Sequence, residues 1–171
     1  MRKVKFIAVV LIFIMIFSTL TGCSVKKYNA VLYERAIDWV DEDFLDKNRV
    51  KGYYKNKDYR EGERLYIFEH NAPLSRTFLI TSKEEFDKII CEFPDSIDFD
   101  KEIVILYLYY PDMGGGSLNL KQIKLRDGIL TVKINFVPAK GDTGSMPTPS
   151  CMMIKINKIE IDEAKIEIRK K

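Results

Sequence analysis

Asp142, Thr143, Gly144 and Ser145 stand in the order D-T-G-S. A carboxylate on such a turn can activate water for peptide hydrolysis if a second carboxylate faces it. Two carboxylates that close cannot both ionise, so they share one proton. The rest of the chain offers few groups in a useful spacing. His70 is the single histidine, and no serine or cysteine stands out in the pattern as its partner in nucleophilic catalysis. One histidine without further ligands does not make a zinc site. The run Met113 to Ser117, M-G-G-G-S, lacks the Gly-Lys-Ser/Thr ending of a phosphate loop and leads into a strand, not a helix. It reads as a turn that lets backbone approach backbone. Asp41, Glu42, Asp43 and Asp46 concentrate acidity without the spacing of a calcium loop, and read as a solvated face. The sequence therefore predicts no cofactor, no metal and no catalytic residue.

The D-T-G-S spelling resembles the catalytic turn of the pepsin-like and retroviral aspartic proteases. In those enzymes the turn ends a hydrophobic strand near the start of the fold, and a single-domain version works only as a symmetric dimer. Here Asp142 follows the polar, breaker-rich V-P-A-K-G, and only 29 residues come after it. They cannot complete such a barrel. Asp142 is expected in a loop of ordinary turn residues.

The elements that must position these residues are mostly strands. Tyr33, Ile37, Val40 and Phe44 recur at three- and four-residue spacing and predict an amphipathic helix over a strand, with Trp39 off the stripe. Asp46 to Glu63 is charged and turn-rich, with Val50, Tyr53 and Tyr54 as a short strand inside it. Arg64 to His70 predicts a strand, Asn71 to Pro73 a turn, and Arg76 to Ser82 a strand with Phe78 and Ile80 on one side. Thr81 or Ser82, with Glu84 or Glu85, forms a capping box for a helix with the stripe Phe86, Ile89, Ile90 and Phe93, stopped by Pro94. Cys91 falls on the polar side.

Ile97 to Tyr110 holds the most hydrophobic strand after the N-terminal segment, and its near-continuous apolar run implies burial on both faces. Residues 117–125 alternate imperfectly, so a bulge is expected near Gln122 and Ile123. Asp127-Gly128 is a hairpin turn. Leu130, Val132, Ile134 and Phe136 then share one face, Met152, Ile154 and Ile156 point inward, and Ile166 and Ile168 mark a last strand. The fold class that follows is α+β: mostly antiparallel β-sheet, sandwich-like, with one or two helices.

The N-terminus has a different character. Arg2, Lys3 and Lys5 precede the uncharged run Phe6 to Leu20, the pattern of a secretory signal. The run is short for a spanning helix, which needs roughly 20 residues. Leu20-Thr21-Gly22-Cys23 resembles the bacterial lipobox. The resemblance implies cleavage before Cys23 and a diacylglyceryl group on its sulfur, anchoring the chain to a membrane without spanning it. The expected organisation is a signal peptide at 1–22, a tether at 23–30 and a single domain at 31–171. The whole chain has 28 basic and 25 acidic residues, but residues 1–22 hold three basic and no acidic ones. The remainder is balanced, which argues against nucleic acid as a partner. Cys91 and Cys151 can pair in an exported protein or remain two thiols.

The succession F-L-I-T-S-K-E-E-F-D-K-I-I, I-D-F-D-K-E-I-V-I-L-Y-L, G-G-G-S-L-N-L-K-Q-I-K-L, I-L-T-V-K-I and P-T-P before M-M-I-K-I-N-K resembles the PrcB-like protease-complex-subunit domain of bacterial surface lipoproteins. The likeness covers about 76–158. It places Asp98-Phe99, Gly114-Gly115 and Thr148-Pro149 on the family's signatures. Met113 stands where the family usually has threonine, and Gly116 where it often has an aromatic. The resemblance implies a non-catalytic subunit that binds and stabilises a secreted protease or another envelope protein. The candidate interaction loops are Gly114, Gly115, Gly116, Asp142, Thr148 and Pro149. A second reading is a small-molecule or glycan-binding lipoprotein, with Tyr107, Tyr109, Tyr110 and the Tyr53-Tyr54 pair as the lining. The Lys- and Ile-rich composition leans toward a low-GC Gram-positive source.

Overall fold

The computed structural model describes residues 28–111, 115–141 and 148–171. Among the described residues, nine strands and two short α-helices form three layers. β1 (Ala30–Glu34) leads through a 3-10 turn (Ala36–Trp39) to α1 (Glu42–Lys47). β2 (Gly52–Lys55) and β3 (Tyr66–Glu69) pair as a ribbon. β4 (Ser75–Ile80), α2 (Lys83–Ile89) and β5 (Glu102–Tyr109) follow. β6 (Gly116–Arg126), β7 (Ile129–Pro138), β8 (Ser150–Asn157) and β9 (Glu163–Lys170) complete the chain.

The middle layer is a four-stranded antiparallel sheet in the order β1-β8-β5-β4. On one of its faces Val104, Leu106, Leu108, Cys151 and Met153 are buried against the helical segments. On the other, Ile103, Ile105, Met152, Ile154 and Ile156 are buried against Leu130, Val132 and Ile134 of the second sheet, ordered β6-β7-β9. The class is α+β, mostly antiparallel and sandwich-like, with one parallel pair where β9 runs alongside β7. β5 is buried on both faces as its sequence predicts. β8 is too: Met152, Ile154 and Ile156 do point inward, but Cys151 and Met153 are equally covered on the opposite face. Their alternation was invisible because both sets are apolar.

Local signals explain most boundaries. Ser82 caps α2 by accepting from the Glu85 N–H at 3.2 Å, and Glu85 reaches back to the Thr81 N–H. Asp127 and Gly128 both take positive φ, the conformation of a two-residue hairpin turn with right-handed twist. The β6–β7 register shifts between Leu120 and Gln122, beside the expected bulge position.

The helix expected through Tyr33, Ile37, Val40 and Phe44 is not one element. Tyr33 lies in β1 opposite Met153, Ile37 is in the 3-10 turn, Val40 makes an isolated bridge to Ile90, and Phe44 is in α1. All four still pack against the same core. The spacing was real as a burial pattern and wrong as a helix, because sheet pairing with β8 captured the first third. Arg35 makes the break by adopting a left-handed conformation, φ 57°. Ala30, at the end of the expected tether, already pairs with Ile156.

Candidate functional site

The strand directions define two ends of the molecule. Ala30, Ile103 and Ile156 are in register at the end where the chain enters. At the opposite end Tyr109 faces Ser150, and Gly116 faces Pro138. The Leu118 N–H crosses between sheets to the Glu34 carboxylate at 2.8 Å, fixing that end of β6 beside the last residue of β1.

A groove of about 610 Å³ opens at this far end. Its floor includes Leu45, Val50 and Leu108; Tyr53 and Tyr54 of β2 form one wall and Thr148 and Pro149 another. Gly52 allows the close approach: its φ is +139°, and a Cβ there would lie 2.9 Å from the Pro149 Cγ. No side chain fits at that point without moving the proline. The Tyr54 hydroxyl donates to the Val50 carbonyl at 2.8 Å and accepts from the Val50 N–H at 2.9 Å. This ties the ribbon to the segment after α1. Burial pushes the Tyr54 hydroxyl's pKa up.

Charged side chains around the groove are mostly matched. Arg49 reaches Asp46 at 3.1 Å and Glu69 at 2.9 Å, with its guanidinium 4.8 Å from the Tyr54 ring centre. Lys57 reaches Asp46 at 2.7 Å and Glu42 at 3.4 Å. Hydrogen bonding from Lys57 holds the Asp46 carboxyl below its usual range, burial opposes this, and Arg49 adds to the lowering. The acidic run is thus engaged locally: Asp41 caps α1 by accepting from the Phe44 N–H at 2.9 Å, and Glu42 and Asp46 hold Lys57. Among the described residues no group of three or more His, Cys, Asp or Glu is placed to hold a metal ion.

The sequence-derived candidates separate. Thr148 and Pro149 line the groove. Gly115 and Gly116 lie at the same end, where the Gly115 carbonyl accepts from the Ala139 N–H at 2.8 Å. Gly116 is tightly packed, since a Cβ there would lie 2.5 Å from both the Phe136 ring and the Val137 carbonyl. Cys23, Gly114 and Asp142 lie outside the described residues. Of the tyrosines named for a ligand, only Tyr53 and Tyr54 line the groove. Tyr107 and Tyr109 stack on each other at 5.4 Å against the second core, and burial pushes the Tyr109 hydroxyl's pKa up to about 12. Tyr110 packs beside Gly52, with Lys51 5.9 Å from its ring centre.

Asp98 caps the turn into β5, accepting from Lys101 and the Asp100 N–H, while Phe99 packs on the first core. His70 is exposed with its ring 4.5 Å from Phe68. Cys91 is exposed, Cys151 is buried, and the two are free thiols. Arg49, Gly52 and Lys57 were not singled out as site residues. Nothing local in a charged, turn-rich stretch shows that Gly52 meets Pro149, 97 residues on.

No family model matches the chain, and no curated protein or solved structure is significantly similar to it.

Proposed function

We propose that the chain is a membrane-anchored, extracytoplasmic lipoprotein whose domain is a non-catalytic protein-interaction module. The observation that carries this reading is the placement of the groove at the end of the sheet opposite Ala30, where the chain enters. With lipid on Cys23, the seven steps to Ala30 span at most about 25 Å. The entry end then faces the bilayer and the groove end projects outward. Among the described residues no helix is long and apolar enough to cross a membrane. The resemblance to the PrcB-like domain supports a secreted protease or another envelope protein as the partner.

Two measurements test this. Cys23→Ala removes the lipid acceptor, so the protein should lose fatty-acid labelling and keep its N-terminal segment uncleaved. A photo-crosslinking residue at Thr148 in the lipidated protein should then trap a defined envelope or secreted protein. Fatty-acid labelling that persists in Cys23→Ala, or is absent from the unsubstituted chain, sinks the anchor. The absence of any protein adduct at Thr148, with small molecules raising the melting temperature instead, would favour the second reading. That reading, a small-molecule or glycan site, draws on Tyr53, Tyr54 and Tyr66 around a cavity whose volume is in the usual range for ligand pockets.

A further inference from the structure

The Asn56 N–H donates to the Leu65 carbonyl at 2.8 Å, which fixes the hydrogen-bond phase of the β2–β3 ribbon. In an antiparallel pair, hydrogen-bonded and non-hydrogen-bonded positions alternate. Tyr54, opposite Ile67, and Gly52, opposite Glu69, therefore turn their backbone groups toward β3. Tyr53 and Lys55 turn theirs away, along the edge that β3 leaves uncovered. Among the described residues these N–H and C=O groups meet no protein partner. Tyr53, Tyr54, Lys55 and Asn56 all border the groove, so the free edge opens into it.

An uncovered strand edge is a template for another strand, and proteins usually blunt such edges. β6 carries Lys121, Lys124 and the bulge, and β9 presents Glu163, Lys165, Glu167 and Arg169. The edge of β2 has no bulge and no proline of its own. It lies instead above an apolar floor of Leu45, Val50 and Leu108. Pro149 closes the Gly52 end, so the usable edge runs outward from Tyr53 to Asn56. That is four residues, or about 13 Å of extended chain.

Charge narrows the occupant. Arg49 is matched by Asp46 and Glu69, and Lys57 by Asp46 and Glu42. Lys55 is exposed and pairs with no acidic side chain among the described residues. An added strand alternates its side chains between faces. One set would cover the apolar floor, and the other would meet Lys55.

We propose that the β2 edge takes an extended peptide of a partner protein as a third strand, with β-forming apolar residues over the groove floor and an Asp or Glu beside Lys55. This rests on the interaction-module reading and deepens it. Main-chain bonds to Tyr53 and Lys55 supply affinity, and the alternate side chains supply specificity.

The test is a library of random linear heptapeptides displayed on phage and panned against the full chain in detergent micelles. Selected peptides should alternate β-branched or aromatic residues with an acidic one. Their binding should slow hydrogen exchange at the Tyr53 and Lys55 amides at least tenfold. Lys55→Glu, an exposed change that spares the fold, should weaken those peptides at least tenfold and select Lys- or Arg-bearing ones instead. N-methylation of the peptide nitrogen facing Tyr53 or Lys55 should abolish binding. A library that yields no binder, protection at another surface, or indifference to Lys55→Glu overturns the proposal. If Thr148 crosslinking still traps a protein partner in that case, the interaction module stands and only this mode of docking falls.

Discussion

The Tyr54 hydroxyl serves Val50 twice, as donor and as acceptor, and Val50 is 1% exposed. Tyr54→Phe keeps the ring under Arg49 but leaves a buried N–H and C=O without their partner. The expected cost is about 1–3 kcal/mol in a urea melt, the penalty for orphaned buried polar groups. An unchanged midpoint would mean that water replaces the hydroxyl. The two thiols provide a second check at this scale. Burial pushes the Cys151 thiol pKa well up, and its side chain lies among core residues. With Cys23 carrying lipid, as proposed, Cys91 should be the one thiol that reacts with a disulfide reagent at neutral pH, and Cys151 should react only on unfolding. Fast labelling mapped to Cys151, or none at Cys91, would contradict this arrangement. The exposure of Cys91 was legible in the sequence because it falls off the stripe of Phe86, Ile89 and Ile90. The depth of Cys151 was not, since nothing in its neighbours shows that β8 is covered on both sides.

Among the elements, those with their own start and stop signals were legible. α2 is the clearest: cap, stripe and Pro94 are all local. Ser82→Ala removes the acceptor of the Glu85 N–H and should cost about 1 kcal/mol by thermal or chemical melt, while Ser82→Asp should restore it. Equal loss in both variants would show that the cap does not hold the helix. The Asp127-Gly128 hairpin and the strict alternation of β7 were legible for the same reason. Ala30 to Lys47 was not. Its strand, 3-10 turn and short helix share one buried side, and the sequence reports the side without reporting how the backbone presents it. The parallel partner of β7 was also invisible. Ile166 and Ile168 mark β9 as a strand, but its neighbour is decided by distant packing. The groove escaped for a related reason, because it forms where three segments remote in sequence converge.

For the whole molecule, one polar cluster links the layers. Asp95, in the loop after α2, accepts from the Tyr33 hydroxyl of β1 at 2.6 Å and pairs with Lys155 of β8, whose side chain is 13% exposed. Hydrogen bonds from Lys155, then Tyr33, then the Ser96 N–H pull the Asp95 carboxyl down to about 2. A carboxyl depressed on folding stabilises the protein above its ordinary pKa. That contribution disappears as the pH falls through the folded value. Stability should therefore decline between about pH 4 and pH 2, and Asp95→Asn should flatten the decline within that window. A decline of the same slope in Asp95→Asn would assign acid sensitivity to other carboxylates. Trp39, packed edge-on to Tyr33 and Phe93, reports on this region by fluorescence.

The pairing of β1 with β8 has a consequence in time. The first strand of the domain borders a strand that begins at Ser150, and β7 waits for β9 at the very end of the chain. Neither sheet can close while the C-terminal fifth is still missing. Such non-local pairings are slow to form, because loop closure must precede any gain from the contacts. For a chain exported as proposed above, that delay is useful. A polypeptide unable to finish either sheet stays pliable, and its architecture is complete only once its last strand is available to pair.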